Sequence, residues 1–403
     1  SGAITVTAGS LQLDETGTLA STVAMSGGTL DADNSSTLSG ALTQSGSITI
    51  DVADNNLHLI SYSAPFKGTM SLRELDKRLH SISEQPDAIP YLTSYYDKNW
   101  GFCITQNQRD SLIEGNYQIV IDTEFIQDGS MTLSEAVLPG ESDKEILIST
   151  YTCHPSMANN ELSGPVLLNA IMHYIKSNYP KSKFTYRFVL LPETIGSIAY
   201  LSKFMKVMKS NMICGFNLTC AGDERAYSYV GSRKGNTLAD DAIEAALFGL
   251  SNVKKYSYLD RASDERQYCA PGIDLPVCCF SRSRFEYPEY HTSLDDLSMV
   301  TPSGLEGGYT AVQKAIEIIE QNIYLKTSVL GEPQLGRHGL YPTLSTKNSG
   351  LNVRTMMNLI SYCDGQHSML EIAELINKPF GDLAFILESL IDKGLMSVGK
   401  REY

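Results

Sequence analysis

The sequence predicts an α/β protein whose main body is a helix-covered, mostly parallel sheet, with a small β-rich domain ahead of it and a C-terminal winged-helix domain behind. Three patterns carry that expectation. From about residue 143, apolar strand-like runs at 145–151, 184–191, 212–219 and 274–281 alternate with helical segments at about 164–178, 196–208, 237–250 and 303–325. Such alternation marks strands joined by helical crossovers. Residues 51–140 carry a denser, aromatic-rich β pattern. From about residue 350, three short helical segments precede a strand-like tail, the order of a winged helix.

Composition narrows the class. A length of 403 residues supports two or three domains with at least one sizeable core. The hydrophobic fraction of 42% is globular, and no apolar run reaches the length that spans a bilayer. The start lacks the charged, then apolar, then small-residue order of a secretory signal, so a cytoplasmic protein is expected. The net charge of −14 argues against broad binding to nucleic acid or an anionic membrane. The eight cysteines (103, 153, 214, 220, 269, 278, 279 and 363) include no CxxC pair. They read as free, mostly buried thiols, and their spacing disfavours a thiolate zinc site. Cys153, beside His154, has two readings: a nucleophile, or packing at a strand end.

Taken in order, residues 1–50 are rich in Gly, Ser, Thr, Ala and Asp. Gly9, Gly28 and Gly46 head similar strings 19 and 18 residues apart, which fits short β-rungs of a solenoid or a fused segment. In 51–140, Tyr91, Tyr95, Tyr96 and Trp100 either line a substrate groove or form the core of the small β-domain. The α/β body is placed at 141–330. In the stretch from Glu145 to Ile175, a strand hands over to a loop holding Cys153, His154, Asn159, Asn160 and Glu161, and then to a helix. Ser163 is expected to cap that helix, with Pro165 in its first turn. The last unit, 331–403, is a linker and the winged helix. Between 351 and 403 five Lys/Arg face seven Asp/Glu, a net of −2, so assembly, including self-association, is expected of it rather than DNA reading.

The candidate chemistry collects where strands end. His154 follows the first strand, Glu193 and Thr194 the second, Thr219 and Asp223 the third, and Asp264 precedes the fourth. His291 lies in a loop with Glu286, Glu289, Asp295 and Asp296. Open α/β sheets place ligands at such an edge. Imidazoles and carboxylates there suit a hydrolytic zinc site, with a separate Glu to take a proton from water. Each residue also has a plain structural reading: a hydrogen-bonding loop His, or a carboxylate at a helix N-terminus.

The strings YSAPFKGTMSLREL, IPYLTSYYDKNWGFC, STYTCHPSMANNELSGP, LPETIGSIAYLS, SDERQYCAPGIDLPV, EYPEYHTSLDDL and GEPQLGRHGLYP together resemble bacterial aminopeptidase-like proteins found near polysaccharide-biosynthesis genes. The resemblance runs from about Asp51 to the end. It implies a zinc-aminopeptidase-like fold of the M28 peptidase type, a small inserted β-domain and a C-terminal winged helix. It further implies His154 and His291 as metal ligands and Glu193 as the general base. Three positions depart from that pattern: Asn160, Thr194 and Thr219 stand where carboxylate ligands are expected. With those three lost, at most one zinc is expected, held by His154, His291 and Glu161. Asn160, Asp264 and Asp223 are expected around it as supports or alternative ligands, and Tyr95 and Trp100 as substrate-lining residues.

The function this implies is metal-dependent hydrolysis of an amide or peptide bond in a small peptide or aminoacyl substrate, without membrane or nucleic-acid partners. The alternatives are a catalytically inactive peptidase-fold binding protein and a winged-helix regulator.

Overall fold

A computed structural model describes residues 49–340 and 347–399, with side chains at 50–340 and 353–399, together with four strands ahead of residue 49. Seven strands form the central sheet: Ser134–Leu138 (β1), Ser142–Tyr151 (β2), Phe184–Leu191 (β3), Met212–Leu218 (β4), Tyr227–Val230 (β5), Val253–Tyr256 (β6) and Val277–Ser281 (β7). Their spatial order is β1-β3-β2-β4-β7-β5-β6. Strands β3, β2, β4 and β7 are parallel to one another, while β1 and β5 run antiparallel to their neighbours β3 and β7. The expected α/β architecture is therefore present, with its parallel strands at the centre.

Strand β2 shows why. Ile146 and Ile148 pack into one hydrophobic layer and Leu147 into the other, because successive side chains leave a strand on opposite faces. Helices Ser163–Asn178 (α1), Leu238–Leu247 (α3) and Pro302–Gln321 (α4) cover the first face, and Ile195–Asn211 (α2) the second. Fully burying each of these aliphatic side chains stabilises the fold by about 1.5–3 kcal/mol. Ser149 and Thr150, polar residues buried within β2, are hydrogen-bonded to the Tyr268 hydroxyl and the Leu218 carbonyl, and Cys153 and His154 emerge beyond its end.

Several boundaries differ from the sequence expectation. Strand β1 falls in the stretch assigned to the small β-domain, yet pairs with β3 at the sheet edge. Strands β5 and β6 have four residues each, too short to give a periodic signal. Helix α4 stops at Gln321 rather than at about 325, and Tyr324–Thr327 is the middle strand of the winged-helix sheet, between Asp364–Ser368 and Met396–Gly399. Of the segment read as β-repeats, strands Gly2–Thr7, Ser10–Gln12 and Leu19–Ser26 form one small sheet. Ser39–Thr43 joins the small β-domain by pairing with Asn116–Asp122. The turns that carry Gly9, Gly28 and Gly46 lie outside the described residues.

The winged-helix helices Lys347–Ser361 (α5), Met369–Leu375 (α6) and Phe380–Asp392 (α7) share one continuous core with α1, α3 and α4, through residues such as Leu359, Leu370, Ile372 and Leu383. Asn322 Oδ1 accepts the Leu370 N–H at 3.0 Å across this junction. The junction also gathers like charge. Half-buried Asp241 has its carboxyl pKa pushed up to about 7 by burial, then by the charges of Glu374, Asp240, Glu244 and Glu371. A carboxyl with a raised folded-state pKa holds its proton more tightly folded than unfolded, so its contribution to stability is lost as pH rises from its ordinary range towards 7. Asp241→Asn is expected to remove that loss and to stabilise the protein at pH 8 by about 1–2 kcal/mol, allowing for solvent screening. Urea melts at pH 5 and pH 8 check this, and an equal effect at both pH values contradicts it.

Among the described residues, no helix is long and apolar enough to cross a membrane. Cys153 is exposed and the other seven cysteines are buried and free.

Candidate metal and catalytic site

The strand-end loops converge at the carboxyl edge of β2, β3 and β4. After β2 the chain does not enter α1 directly. Ala158–Leu162 forms a single π-helical turn first, a feature frequent at functional sites. Ser163, expected to cap α1, already has helical backbone angles. Its hydroxyl instead donates to the Asn159 carbonyl and accepts the Ala221 N–H. The wide turn swings Glu161 back towards the strand end. Its carboxylate takes the backbone N–H of Cys153 and, at 2.9 Å, that of His154, and lies 3.2 Å from His154 Nδ1.

Asp295, fully buried, holds the turn in place. Its carboxylate accepts the N–H of Asn159 at 2.6 Å, that of Asn160 at 2.9 Å and the Tyr287 hydroxyl at 2.9 Å. Asp223 supports Asn159 from the other side. It also accepts the Ser283 N–H and hydroxyl and the Arg225 N–H, so that its carboxylate braces the turn through four hydrogen bonds.

The expected ligand histidines face each other, with ring centroids 5.2 Å apart. His291 is stacked on Tyr290 at 3.9 Å. The small β-domain supplies the roof. Residues 85–92 run along the 288–293 loop, with the Tyr91 N–H donating to the His291 carbonyl at 2.9 Å and the Ser293 N–H to the Ile89 carbonyl at 2.9 Å. The Tyr91 ring then meets both His154 and His291 edge-on.

Glu193 ends β3 beside this cluster. Its Oε1 accepts the Ser263 hydroxyl at 2.7 Å, and its N–H points at Cys153 Sγ at 3.3 Å. Asp264 accepts the Thr194 N–H at 2.8 Å and the Ser197 hydroxyl at 2.7 Å. Burial, then the charge of Glu193, raises the Asp264 pKa to about 7. Four non-glycine residues in these turns have left-handed backbone: Ser156, Thr194, Cys220 and His291. Each such residue costs on the order of 1–3 kcal/mol and persists only where its surroundings over-determine it.

The two histidines are tuned differently. Burial lowers the pKa of His154, but the Glu161 hydrogen bond and charge outweigh it and leave a net rise. His291 is lowered to about 4 by burial, then by the charge of His154, and so is neutral at pH 7. Close packing, then the charge of Glu161, pushes the Cys153 thiol pKa up. A protonated thiol is a poor nucleophile, which disfavours that reading of Cys153.

The residues present can be tested against a metal ion. The donor atoms of Cys153, His154 and Glu161 all lie within 4.8 Å of one another. His291 Nε2, Asn160 Oδ1 and Asp264 Oδ2 are buried polar atoms with no partner in the protein. A neutral imidazole, a second imidazole, a carboxylate and a thiol form a donor set that suits one zinc. They do not suit two. Thr219 bonds to the Tyr151 hydroxyl, Thr194 takes an N–H of Arg266, and the Asn160 amide nitrogen points to Cys220 Sγ at 3.7 Å.

Of the expected substrate-lining residues, Trp100 is half-buried: it stacks on Phe66 at 4.3 Å, with the Arg78 guanidinium over its ring, and packs against the core of the small β-domain. A flat ring of that size is buried more favourably against Phe66 than held at a polar rim. Tyr95 is exposed and packs against Tyr62 at 5.0 Å, beyond Tyr91. The residues that sequence reasoning passed over are Ser263 and Arg266, which carried no signal. Tyr91 and Asp295 were named, in the Tyr-rich run and the LDDL string, but not as the roof and the anchor of the turn.

This fold and edge-sited cluster define a mixed α/β protein with an aminopeptidase-like fold and a winged helix appended. The chain belongs to the family described as Domain of unknown function (DUF4910), whose profile matches residues 28–322, and a winged helix-turn-helix profile matches 322–398. It is 39% identical over 348 residues to a Clostridium acetobutylicum protein with the provisional name polysaccharide biosynthesis protein with aminopeptidase-like domain, covering 86% of this chain and 79% of that protein. A crystal structure from Clostridium acetobutylicum, provisionally named a peptidase, superposes with TM-score 0.81 at 37% identity, over 89% of this chain and 82% of that one. A zinc aminopeptidase from Bacillus subtilis shares the fold alone, with TM-score 0.53 at 13% identity, over 70% of this chain and 82% of that one. The resemblance read from the sequence strings is borne out.

Proposed function

We propose that the protein hydrolyses an amide or peptide bond in a small substrate, with one zinc ion at the β2 edge. The observation that carries this reading is the meeting of His154, Glu161 and neutral His291 with a separately held Glu193. His154 and Glu161 would hold the metal with His291 or Cys153, and zinc there supplies a Lewis acid that polarises a carbonyl and lowers the pKa of bound water. Glu193, fixed through one oxygen by Ser263, keeps its other oxygen to take a proton from the attacking water and pass it to the departing amine. Tyr91 and Tyr290 flank the imidazoles and restrict water around them.

The test is elemental analysis of protein purified with zinc supplied. About one zinc per chain is expected, with loss in His154→Ala and His291→Ala and retention in Glu193→Gln. Protein that stays metal-free overturns this reading. It would favour the second one, a peptidase-fold binding protein, for which the internal bonds of Thr194 and Thr219 speak.

A further inference from the structure

Thr194, where family resemblance implies a metal-binding carboxylate, is approached by a cation of the chain's own. Arg266, on the short helix Glu265–Tyr268, donates one Nη2–H to the Thr194 hydroxyl. Its Nε is buried and finds no partner. Among the described residues no carboxylate lies within 4.0 Å of its guanidinium. This contrasts with Arg187, which is fully engaged by Glu135 and Glu145, and with Arg225, which Glu289 holds through both Nη atoms. Arg266 is flanked in sequence by the loop that carries Ser263, the partner of Glu193, and Asp264, the partner of Thr194. Its charge is felt at Tyr290, the ring stacked on His291.

A partly buried, unpaired guanidinium is costly unless something neutralises it. A carboxylate at position 194 would do so. The hydroxyl of Thr194 does not: it accepts from Nη2 alone and leaves the positive charge of Arg266 uncompensated next to Glu193. Guanidinium recognises carboxylate through two parallel N–H···O bonds.

We propose that Arg266 anchors a carboxylate of the substrate, so that the amide bond taken by this site is borne by an anionic peptide or aminoacyl compound. The proposal rests on the hydrolase reading for the word substrate, and its test reads binding rather than turnover. Calorimetry on the Glu193→Gln protein compares two matched pairs: Ala-Ala with its C-terminal amide, and glutamyl anilide with glutaminyl anilide. The first pair probes an α-carboxylate and the second a side-chain carboxylate. In one pair the acid is expected to bind about tenfold or more tightly than its neutral partner, the scale of one bidentate charge-assisted contact. Arg266→Gln should remove that preference while leaving the neutral compound's affinity unchanged, and Arg266→Lys should keep only part of it. Thr194→Glu, which retains the arginine and supplies an internal carboxylate, should remove the preference too. Near-UV circular dichroism of each variant establishes folding. No preference in either pair, or a preference that survives Arg266→Gln, overturns the proposal. Binding preference without hydrolysis by the wild-type protein would sink the hydrolase reading and leave the anchor standing.

Discussion

Glu193→Gln is expected to slow hydrolysis of an aminoacyl-arylamide by about 10²–10⁴-fold, the usual contribution of a positioned general base. Zinc content and unfolding temperature should stay at wild-type values. The substitution keeps shape, and Gln can still accept the Ser263 hydroxyl that now binds Oε1 at 2.7 Å. What it loses is the capacity to take a proton. If kcat falls with KM unchanged, the residue acts in the chemical step. A large fall in zinc content instead would make Glu193 a ligand, and unchanged turnover would remove it from the mechanism. Parallel measurement of metal and rate separates these outcomes, because His154 and Glu161 lie on a different loop from Glu193 and hold each other without it.

Gly304→Ala is expected to destabilise the protein by about 3 kcal/mol. Gly304 lies in the first turn of α4, where Thr301 accepts its N–H at 2.9 Å. A Cβ there would sit 2.0 Å from the Gly222 carbonyl oxygen and 2.7 Å from its carbon. Backbone cannot rotate away as a side chain would, so either the helix or the 219–223 turn must move. That turn carries the Gly222 N–H that Asn159 Oδ1 accepts and the Asp223 brace beneath the π-turn of Glu161. The same substitution at Gly381, in the first turn of α7 with no atom within 4 Å of its would-be Cβ, should instead stabilise by about 0.5–1 kcal/mol through helix propensity. Chemical denaturation of the pair checks both signs. Wild-type stability in Gly304→Ala would show that α4 can slide off the turn at little cost.

The central elements were legible in the sequence because their determinants are local. Short apolar runs that alternate with helical segments, such as those within β2 and β4, read as buried strands, and the polar residues that follow them are placed at the sheet edge. His154, His291 and Glu193 were nameable for that reason. Strands β5 and β6 were not, since four residues hold too little pattern and pairing alone makes them strands. Trp100 stayed open between groove and core, because an aromatic residue reads the same in either place.

What Glu161 does was decided only in three dimensions. Spacing allows its side chain to point along α1 or back to the strand, and a regular α-helix starting at Ser163 leaves both open. Asp295, 134 residues further on, pins the N–H groups of Asn159 and Asn160 into a π-turn, and that turn aims Glu161 at His154. The unpaired state of Arg266 is of the same kind: it depends on which carboxylates lie more than 4.0 Å away, a property of packing. The sequence by itself determined the central parallel strands and which reactive residues leave their ends. Contacts across more than a hundred residues determined where those side chains point, because a backbone donor buried beneath a turn must find its acceptor wherever the fold brings one.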